Sequence, residues 1–333
     1  MTRACLLVHG CRVRAAGDAA AVAGLAADLA AFAAPGSDPP DVDVLAELAP
    51  VPRPPGRALF ARAKWTVLAS PPGTRKVWYP EGALCELDYV SGKCRVSAGE
   101  PHLLRELLYL LVLSRAGEWL DRRGLHRLHA GALASAAGGL VFCGSQGTGK
   151  TTLLLELLRD PAFALISDDT PLLSPAGLLP FPLRVGLDGG SPHLARFPGA
   201  ELLRRRHYPP KRLVPAGAAG RLASGPVRPA HVFLLRRGPA PRIERCGSAP
   251  AAAALAAALV AGHGVPQMAE YFLRPSPADA AAKAGILLSR LRAAAGLIRD
   301  ASFWTFVTGP GPERSADALR DFLRSCSGPG GPR

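Results

Sequence analysis

The residues with the most specific chemistry in this chain of 333 residues lie between Gly144 and Thr151. They read Gly-Ser-Gln-Gly-Thr-Gly-Lys-Thr and match every position of the phosphate-loop pattern G-x-x-x-x-G-K-[ST]. Glycines let backbone N–H groups turn inward around a phosphate, and a helix that begins there adds the positive end of its dipole. The residues predicted to bind a nucleotide are Gly144, Ser145, Gln146, Gly147, Thr148, Gly149, Lys150, Thr151 and Thr152.

The two ends of this motif have different tasks. Lys150 can reach the β and γ phosphates as a point charge, and the Thr151 hydroxyl can ligate Mg²⁺. The apolar run Leu140–Cys143 predicts a buried strand before the loop, and Leu153–Leu158 predicts a helix after it. Because the motif requires a loop between a strand and a helix, the sequence predicts that the protein binds ATP and Mg²⁺.

A pair of carboxylates follows the next apolar segment. Residues 163–166 predict a second buried strand, which ends before Asp168 and Asp169. A strand that begins one helix after the loop is expected to lie parallel and close to the first, so that its carboxyl end opens toward the phosphates. One carboxylate could then hold Mg²⁺ and the other could accept a hydroxyl proton. The alternative is a turn cap, because Asp-Asp before Thr-Pro is common in turns.

Several segments together resemble the catalytic domain of HPr kinase/phosphorylase and its relatives. The resemblance extends from about residue 126 to residue 260 and is most specific around the phosphate-loop motif and the aspartate pair. The segments that carry it are Leu128-His129-Ala130, Gly139–Phe142, Gly144–Thr152 and Ile166–Asp169, followed more loosely by Pro180–Arg184, Lys211-Arg212 and Val232–Gly238.

This resemblance implies a fold and a set of catalytic roles. The HPr-kinase family is similar in fold to the ATP-dependent phosphoenolpyruvate carboxykinases, so we expect an α/β phosphate-loop core with a smaller N-terminal α/β domain. His129 matches the family histidine that lies beside the transferred phosphate. Asp168 matches the catalytic base, and Asp169 matches its acidic neighbour, which with Thr151 would hold the metal. Lys150 would neutralise charge on the phosphates.

The acceptor of the phosphoryl group is less constrained. The chain lacks the Glu-x-Arg-Gly-x-Gly segment of the HPr enzymes, so the resemblance implies the kinase core and not HPr as substrate. Some relatives phosphorylate a serine of a ribosomally made precursor peptide, which favours a peptide or protein serine here. The alternatives are a small-molecule hydroxyl kinase and a nucleotide-binding ATPase or switch without an acceptor. Because the HPr enzymes are hexamers, a homo-oligomer is also expected.

Charge and composition limit the other classes of partner. The formal net charge is +14, which favours anionic ligands such as ATP. The sparse aromatic residues are not interleaved with the basic ones, which disfavours nucleic acid. Seven scattered cysteines form no metal-binding pattern, so reduced thiols are expected, and zinc at His126 and His129 is not. With no membrane span or secretory signal, the sequence predicts a cytoplasmic protein.

The length suggests two domains and a tail. We expect an N-terminal α/β domain at 1–124, a catalytic domain at 125–325 and a flexible tail at 326–333. Within the catalytic domain, a proline-bracketed segment could bring Arg184 to the phosphates. A basic loop could bring Lys211 and Arg212 to an anionic substrate, although a solvated linker fits that stretch equally well.

Overall fold

The chain forms two compact units. The computed structural model describes residues 2–36, 38–262, 265, 274 and 276–327. The first unit contains Met1–Arg123, Leu203–Lys211 and Pro266–Ala282, and the second contains Gly124–Leu202, Arg212–Val265 and Lys283–Arg333. The first long segment ends beside residue 124, where the sequence predicted a boundary. The two short segments of the first unit interrupt the predicted catalytic domain at 125–325, and most of the predicted tail lies outside the described residues.

An eight-stranded sheet forms the first unit. The strands follow the order β1-β2-β3-β8-β7-β6-β5-β4, in which β3 is parallel to both of its neighbours and the other pairs are antiparallel. The strands are β1 (Thr2–Val8), β2 (Cys11–Gly17), β3 (Val42–Leu48), β4 (Ala58–Arg62), β5 (Trp65–Leu68), β6 (Thr74–Tyr79), β7 (Ala83–Asp88) and β8 (Lys93–Ala98).

Two helices of the first unit, α1 (Ala19–Asp28) and α2 (Pro101–Asp121), pack against this sheet and against each other. The first begins at Asp18, whose carboxylate accepts a hydrogen bond from the Ala21 N–H at 2.9 Å and so satisfies one free donor of the first turn. Alternation along β3 buries Val42 and Val44 and leaves the intervening Asp43 partly exposed. The pattern of period two therefore places one face of the sheet in the core.

A six-stranded sheet is the centre of the second unit. Its order is β12-β10-β11-β18-β20-β19, with β11, β18 and β20 parallel to one another. Two three-stranded sheets, β14-β13-β9 and β15-β17-β16, accompany it. The strands are β9 (His126–Arg127), β10 (Gly131–Ser135), β11 (Gly138–Cys143), β12 (Ala164–Ser167), β13 (Leu172–Ser174), β14 (Gly177–Leu179), β15 (Val185–Leu187), β16 (Glu201–Leu203), β17 (Lys211–Val214), β18 (Pro229–Arg237), β19 (Arg242–Arg245) and β20 (Ser302–Thr308).

Helices cover both faces of the six-stranded sheet. They are α3 (Lys150–Leu157), α4 (Ala216–Ala219), α5 (Ser248–Leu255, extended by a π-helical turn at Ala256–Val260), α6 (Pro277–Asp300) and α7 (Pro312–Ser327). One core joins α3 and α7 to the side of the sheet that carries Phe233, and the other joins α5 and α6 to the side that carries Val232. The predicted α/β class is confirmed. Within the described residues, no helix combines the length and apolar character needed to cross a bilayer.

Phe233 offers a test of the core beneath the candidate site. Its ring is fully buried and lies 5.4 Å from that of Phe142, between centroids, and 5.8 Å from that of Phe322. We expect Phe233→Ala to lower the free energy of unfolding by about 3–5 kcal/mol, because it removes buried contacts and leaves a cavity. Chemical denaturation followed by circular dichroism measures this value.

The matched control is Leu288→Ala on α6, where the side chain is 52% exposed. An exposed leucine that becomes alanine in a helix should change stability by less than about 0.5 kcal/mol. Equal losses in the two variants would show that Phe233 is not part of a packed core.

Candidate functional site

The glycine loop, residues 144–149, joins β11 to α3 as the sequence predicted. Gly147 and Gly149 have φ of 83° and 89°, in the left-handed region that glycine adopts without the steric cost of a Cβ. A Cβ on Gly144 would lie only 2.7 Å from Thr148 Oγ1. The backbone path therefore requires the glycines of the motif, and it places Lys150 at the first position of the helix.

Lys150 is buried, with 9% of its surface exposed. Its Nζ donates to the carbonyl oxygen of Gly144 at 2.5 Å and lies 3.4 Å from that of Ser145. In the described part of the chain, no carboxylate lies within ion-pair distance of this ammonium group. A buried cation held only by neutral dipoles is poorly compensated, so the loop attracts an anion.

The acidic pair lies at the same edge of the sheet as the glycine loop. Ala132 of β10 pairs with Val141 of β11 on one side and with Ser167 of β12 on the other. Because β10 is antiparallel to both, β11 and β12 run in the same direction and their carboxyl ends lie side by side. With neighbouring strands about 4.8 Å apart, the two ends are separated by about 10 Å. The prediction of a parallel strand is confirmed, but β10 lies between the two strands.

A β-bulge stands directly before the aspartates. Successive residues of β10, Ala132 and Leu133, pair with Ser167 and Leu165, so Ile166 is an extra residue on β12. A bulge of this kind interrupts the strict alternation of side chains and changes the side to which the following residues point. Asp168 is partly buried and Asp169 is exposed, with 52% of its side chain accessible.

His129 is brought to the acidic pair by the strand next to it. The Ala130 N–H donates to the carbonyl oxygen of Asp169 at 3.0 Å, which fixes the segment between β9 and β10 against the end of β12. His129 Nδ1 then lies 3.3 Å from Asp169 Oδ1. If Nδ1 carries a proton, that proton attracts the Asp169 carboxylate at this distance. The histidine can thereby orient Asp169 or offset part of the negative charge of the carboxylate. The sequence-predicted grouping of these two residues is therefore present.

Two neighbouring strands hold the glycine loop from the other side. Arg237, the last residue of β18, donates from Nε to the Gly147 carbonyl oxygen at 2.6 Å. The Thr308 hydroxyl, at the end of β20, lies 3.2 Å from the Arg236 carbonyl oxygen and 3.4 Å from that of Thr148. Neither Arg237 nor Thr308 was predicted from the sequence as a site residue. The sequence did contain a signal for both residues, because each lies at the carboxyl end of an apolar strand. Parallel neighbouring strands have their carboxyl ends at the same edge of a sheet.

A small cleft of about 70 Å³ opens beside the loop. Its walls combine the start of α3, the end of β18 and the turn before α7, and they offer both apolar and hydroxyl surface. The lining residues are Thr148, Gly149, Thr152, Leu153, Arg237, Thr308, Gly309, Pro310, Pro312 and Ser315. Contact with the first residues of α3 makes this cleft an extension of the glycine loop.

The three cations predicted to reach the phosphates have other surroundings. Arg184 Nη1 lies 2.5 Å from Glu201 Oε2 in an ion pair, with the arginine side chain only 6% exposed. Arg212 Nη1 donates to the Ala200 carbonyl oxygen at 3.2 Å. Lys211 belongs to the first unit, at the start of β17. Arg184 and Arg212 thus both have partners within the protein, and their contact with the phosphates stays a prediction.

Oxygen ligands suited to Mg²⁺ are present at the site. Thr151 stands in the first turn of α3, and Asp169 offers a half-exposed carboxylate. A hard cation that keeps several waters needs only one or two protein oxygens and the phosphates of its nucleotide. Among the described residues, no cluster of three or more His, Cys, Asp or Glu side chains forms a metal site. The oxygen donors Thr151 and Asp169 therefore fit Mg²⁺ bound with a nucleotide.

A second cleft lies on the sheet of the first unit, with a volume of about 580 Å³. Charged side chains line it in opposite pairs, such as Lys76 and Glu86, whose Nζ and Oε1 atoms are 2.7 Å apart. We assign the chemistry to the glycine loop, where the buried ammonium of Lys150 has carbonyl partners and, among the described residues, no ion pair.

A comparison with models of protein families finds no match, and a search of curated proteins finds no similar sequence. The likeness to HPr kinases therefore rests on the residues of the glycine loop, the acidic pair and His129.

Cys143 tests how tightly the base of the loop is packed. Burial raises the pKa of this thiol to about 12, and the nearby Lys150 charge offsets only part of the effect. Below that pH the folded protein keeps the unreactive thiol form. We expect iodoacetamide at about pH 8 to leave Cys143 unmodified and to alkylate the partly exposed Cys246. Mass spectrometry of the peptides reads both sites, and equally fast labelling would mean that the base of the loop opens readily.

Proposed function

We propose that the protein is an ATP- and Mg²⁺-dependent kinase with an HPr-kinase-like phosphate-loop core, similar in fold to phosphoenolpyruvate carboxykinases. It would transfer the γ-phosphoryl group to a hydroxyl, and a serine of a peptide or protein is the favoured acceptor. One observation carries the proposal: a buried lysine on a glycine loop and a histidine-contacted acidic pair lie at the same edge of one sheet. Phosphoryl transfer needs this combination of a phosphate cradle and carboxylates.

The nucleotide would bind with its phosphates in the glycine loop. When the nucleotide binds, the Lys150 ammonium would leave the Gly144 carbonyl oxygen and contact oxygens of the β- and γ-phosphates. The ammonium would then pair with full negative charges in place of a neutral dipole. The N-terminus of α3 adds its dipole to the same phosphates. Arg237 is close enough to Gly147 to steady the loop during this exchange.

The acceptor hydroxyl would approach from the side of β12. Asp168 accepts its proton while the acceptor oxygen forms a bond to the γ-phosphorus and the bond to the bridging oxygen of ADP breaks. His129 would orient Asp169, and by its resemblance to the family histidine it would contact the transferred phosphate. Thr151 and Asp169 would hold Mg²⁺, which supplies charge neutralisation on the phosphates. The separation of about 10 Å between the strand ends leaves room for a phosphate and an incoming alcohol.

The cellular setting follows from the substrates. ATP and reduced thiols are both found in the cytoplasm, and all seven cysteines are thiols rather than disulfides in the structure. We therefore place the reaction in the cytoplasm.

Incubation with γ-radiolabelled ATP and Mg²⁺ separates the proposed kinase from its alternatives. Label on a serine peptide supports the favoured acceptor, label on a small metabolite supports a small-molecule kinase, and label only in inorganic phosphate supports an ATPase. We expect Asp168→Asn to reduce transfer by about a thousandfold, because the acceptor loses its base. The same variant should bind a fluorescent ATP analogue as the parent does.

Lys150→Ala is the matched comparison. It should weaken binding of the analogue by about tenfold or more, because the phosphates lose a charged hydrogen bond, and it should lower transfer as well. Full turnover by Asp168→Asn would reject the base assignment. Unchanged nucleotide affinity in Lys150→Ala would reject the glycine loop as the phosphate site.

A further inference from the structure

The outermost strand β4 presents an open edge of the eight-stranded sheet. It pairs with β5 and is the last strand in the order, and all five of its residues are exposed. Two of them are large and apolar: Leu59 is 40% exposed and Phe60 is 55% exposed. Alternate residues of such a strand direct their N–H and C=O groups away from the sheet, where they can pair with another extended chain.

The opposite edge of the same sheet is covered by the chain itself. At β1, Leu6 forms an antiparallel bridge with Ala33, and the Ala34 N–H donates to the Cys5 carbonyl oxygen at 3.0 Å. This segment takes up part of the hydrogen-bonding capacity of β1. The sheet thus has one covered edge and one open edge. Both edge strands expose a leucine, Leu7 in β1 and Leu59 in β4, but of the two only β4 also exposes an aromatic ring, that of Phe60.

Positive charge surrounds the open edge. Residues 49–64 contain Arg53, Arg57, Arg62 and Lys64 and no acidic residue. Within the described residues, Arg57 and Arg62 form no ion pair. Lys64 and the neighbouring Arg205 both lie over the ring of Tyr208, at 5.8 Å and 5.3 Å from its centroid, and that ring is 56% exposed. Uncompensated cations beside exposed rings favour an anionic ligand over a neutral one.

We propose that β4 binds an acidic, extended peptide segment of another protein by strand addition. Its backbone would pair with the outer N–H and C=O groups of β4, and its carboxylates would face Arg57 and Arg62. A second copy of this chain fits poorly as the occupant, because each copy brings the same four cations and a net charge of +14. Binding at this edge needs no nucleotide, so the proposal stands apart from phosphoryl transfer.

The probe is a short fluorescent peptide that alternates glutamate with valine or threonine, titrated into the full chain without ATP and followed by anisotropy. A peptide with lysine in place of glutamate should bind at least about tenfold more weakly. Two further probes carry N-methyl groups on one or the other set of alternate amides. Since alternate N–H groups of a strand point to opposite sides, one set should abolish binding and the other should preserve it.

Arg62→Glu should weaken binding of the acidic peptide by about tenfold, and Arg3→Glu, an exposed arginine on the covered edge strand β1, should leave it unchanged. Both positions are exposed, so folding should be retained, and circular dichroism checks this. Equal effects of the two variants, or equal binding by both methylated peptides, would overturn the proposal. Self-association in light scattering that Phe60→Asp removes would show a second copy as the occupant and would also overturn it.

Discussion

The ammonium group of Lys150 is buried, and its close partners are the carbonyl oxygens of Gly144 and Ser145. Removing a charge from water costs several kcal/mol, and neutral dipoles recover only part of that cost. The glycine loop maintains this arrangement because its left-handed residues wrap the backbone around the lysine. The proposed function depends on this buried charge. An anion that enters the loop gains more binding free energy than it would on an open surface.

The six-stranded sheet brings the acidic pair to the edge where the glycine loop lies. Because β10 lies antiparallel between β11 and β12, the glycine loop and the aspartates end at the same edge and are separated by one strand. The inserted strand also carries His129 at its entrance, so a single segment spaces the two halves of the candidate site and contributes a residue to it.

Local features of the site could be read from the sequence, and pairings distant in sequence could not. The strand, loop and helix around Gly144–Lys150 follow from residue types that interact within a few positions. The position of β10 depends on hydrogen bonds to β12, more than 25 residues away, and no local pattern encodes it. Arg237 reaches Gly147 across 90 residues for the same reason. Arg184 was expected at the phosphates because of its charge, but Glu201 provides the nearer partner. The α/β class, which the resemblance to HPr kinases implied, is confirmed.

The central claim is that one site joins the glycine loop to the acidic pair. A crystal structure of the full chain with Mg²⁺ and a non-hydrolysable ATP analogue tests it most directly. We expect Lys150 Nζ to leave the Gly144 carbonyl and contact the β- and γ-phosphates, with the γ-phosphate facing the Asp168 carboxylate. A nucleotide bound away from the glycine loop, or an Asp168 side chain directed away from the γ-phosphate, would contradict it.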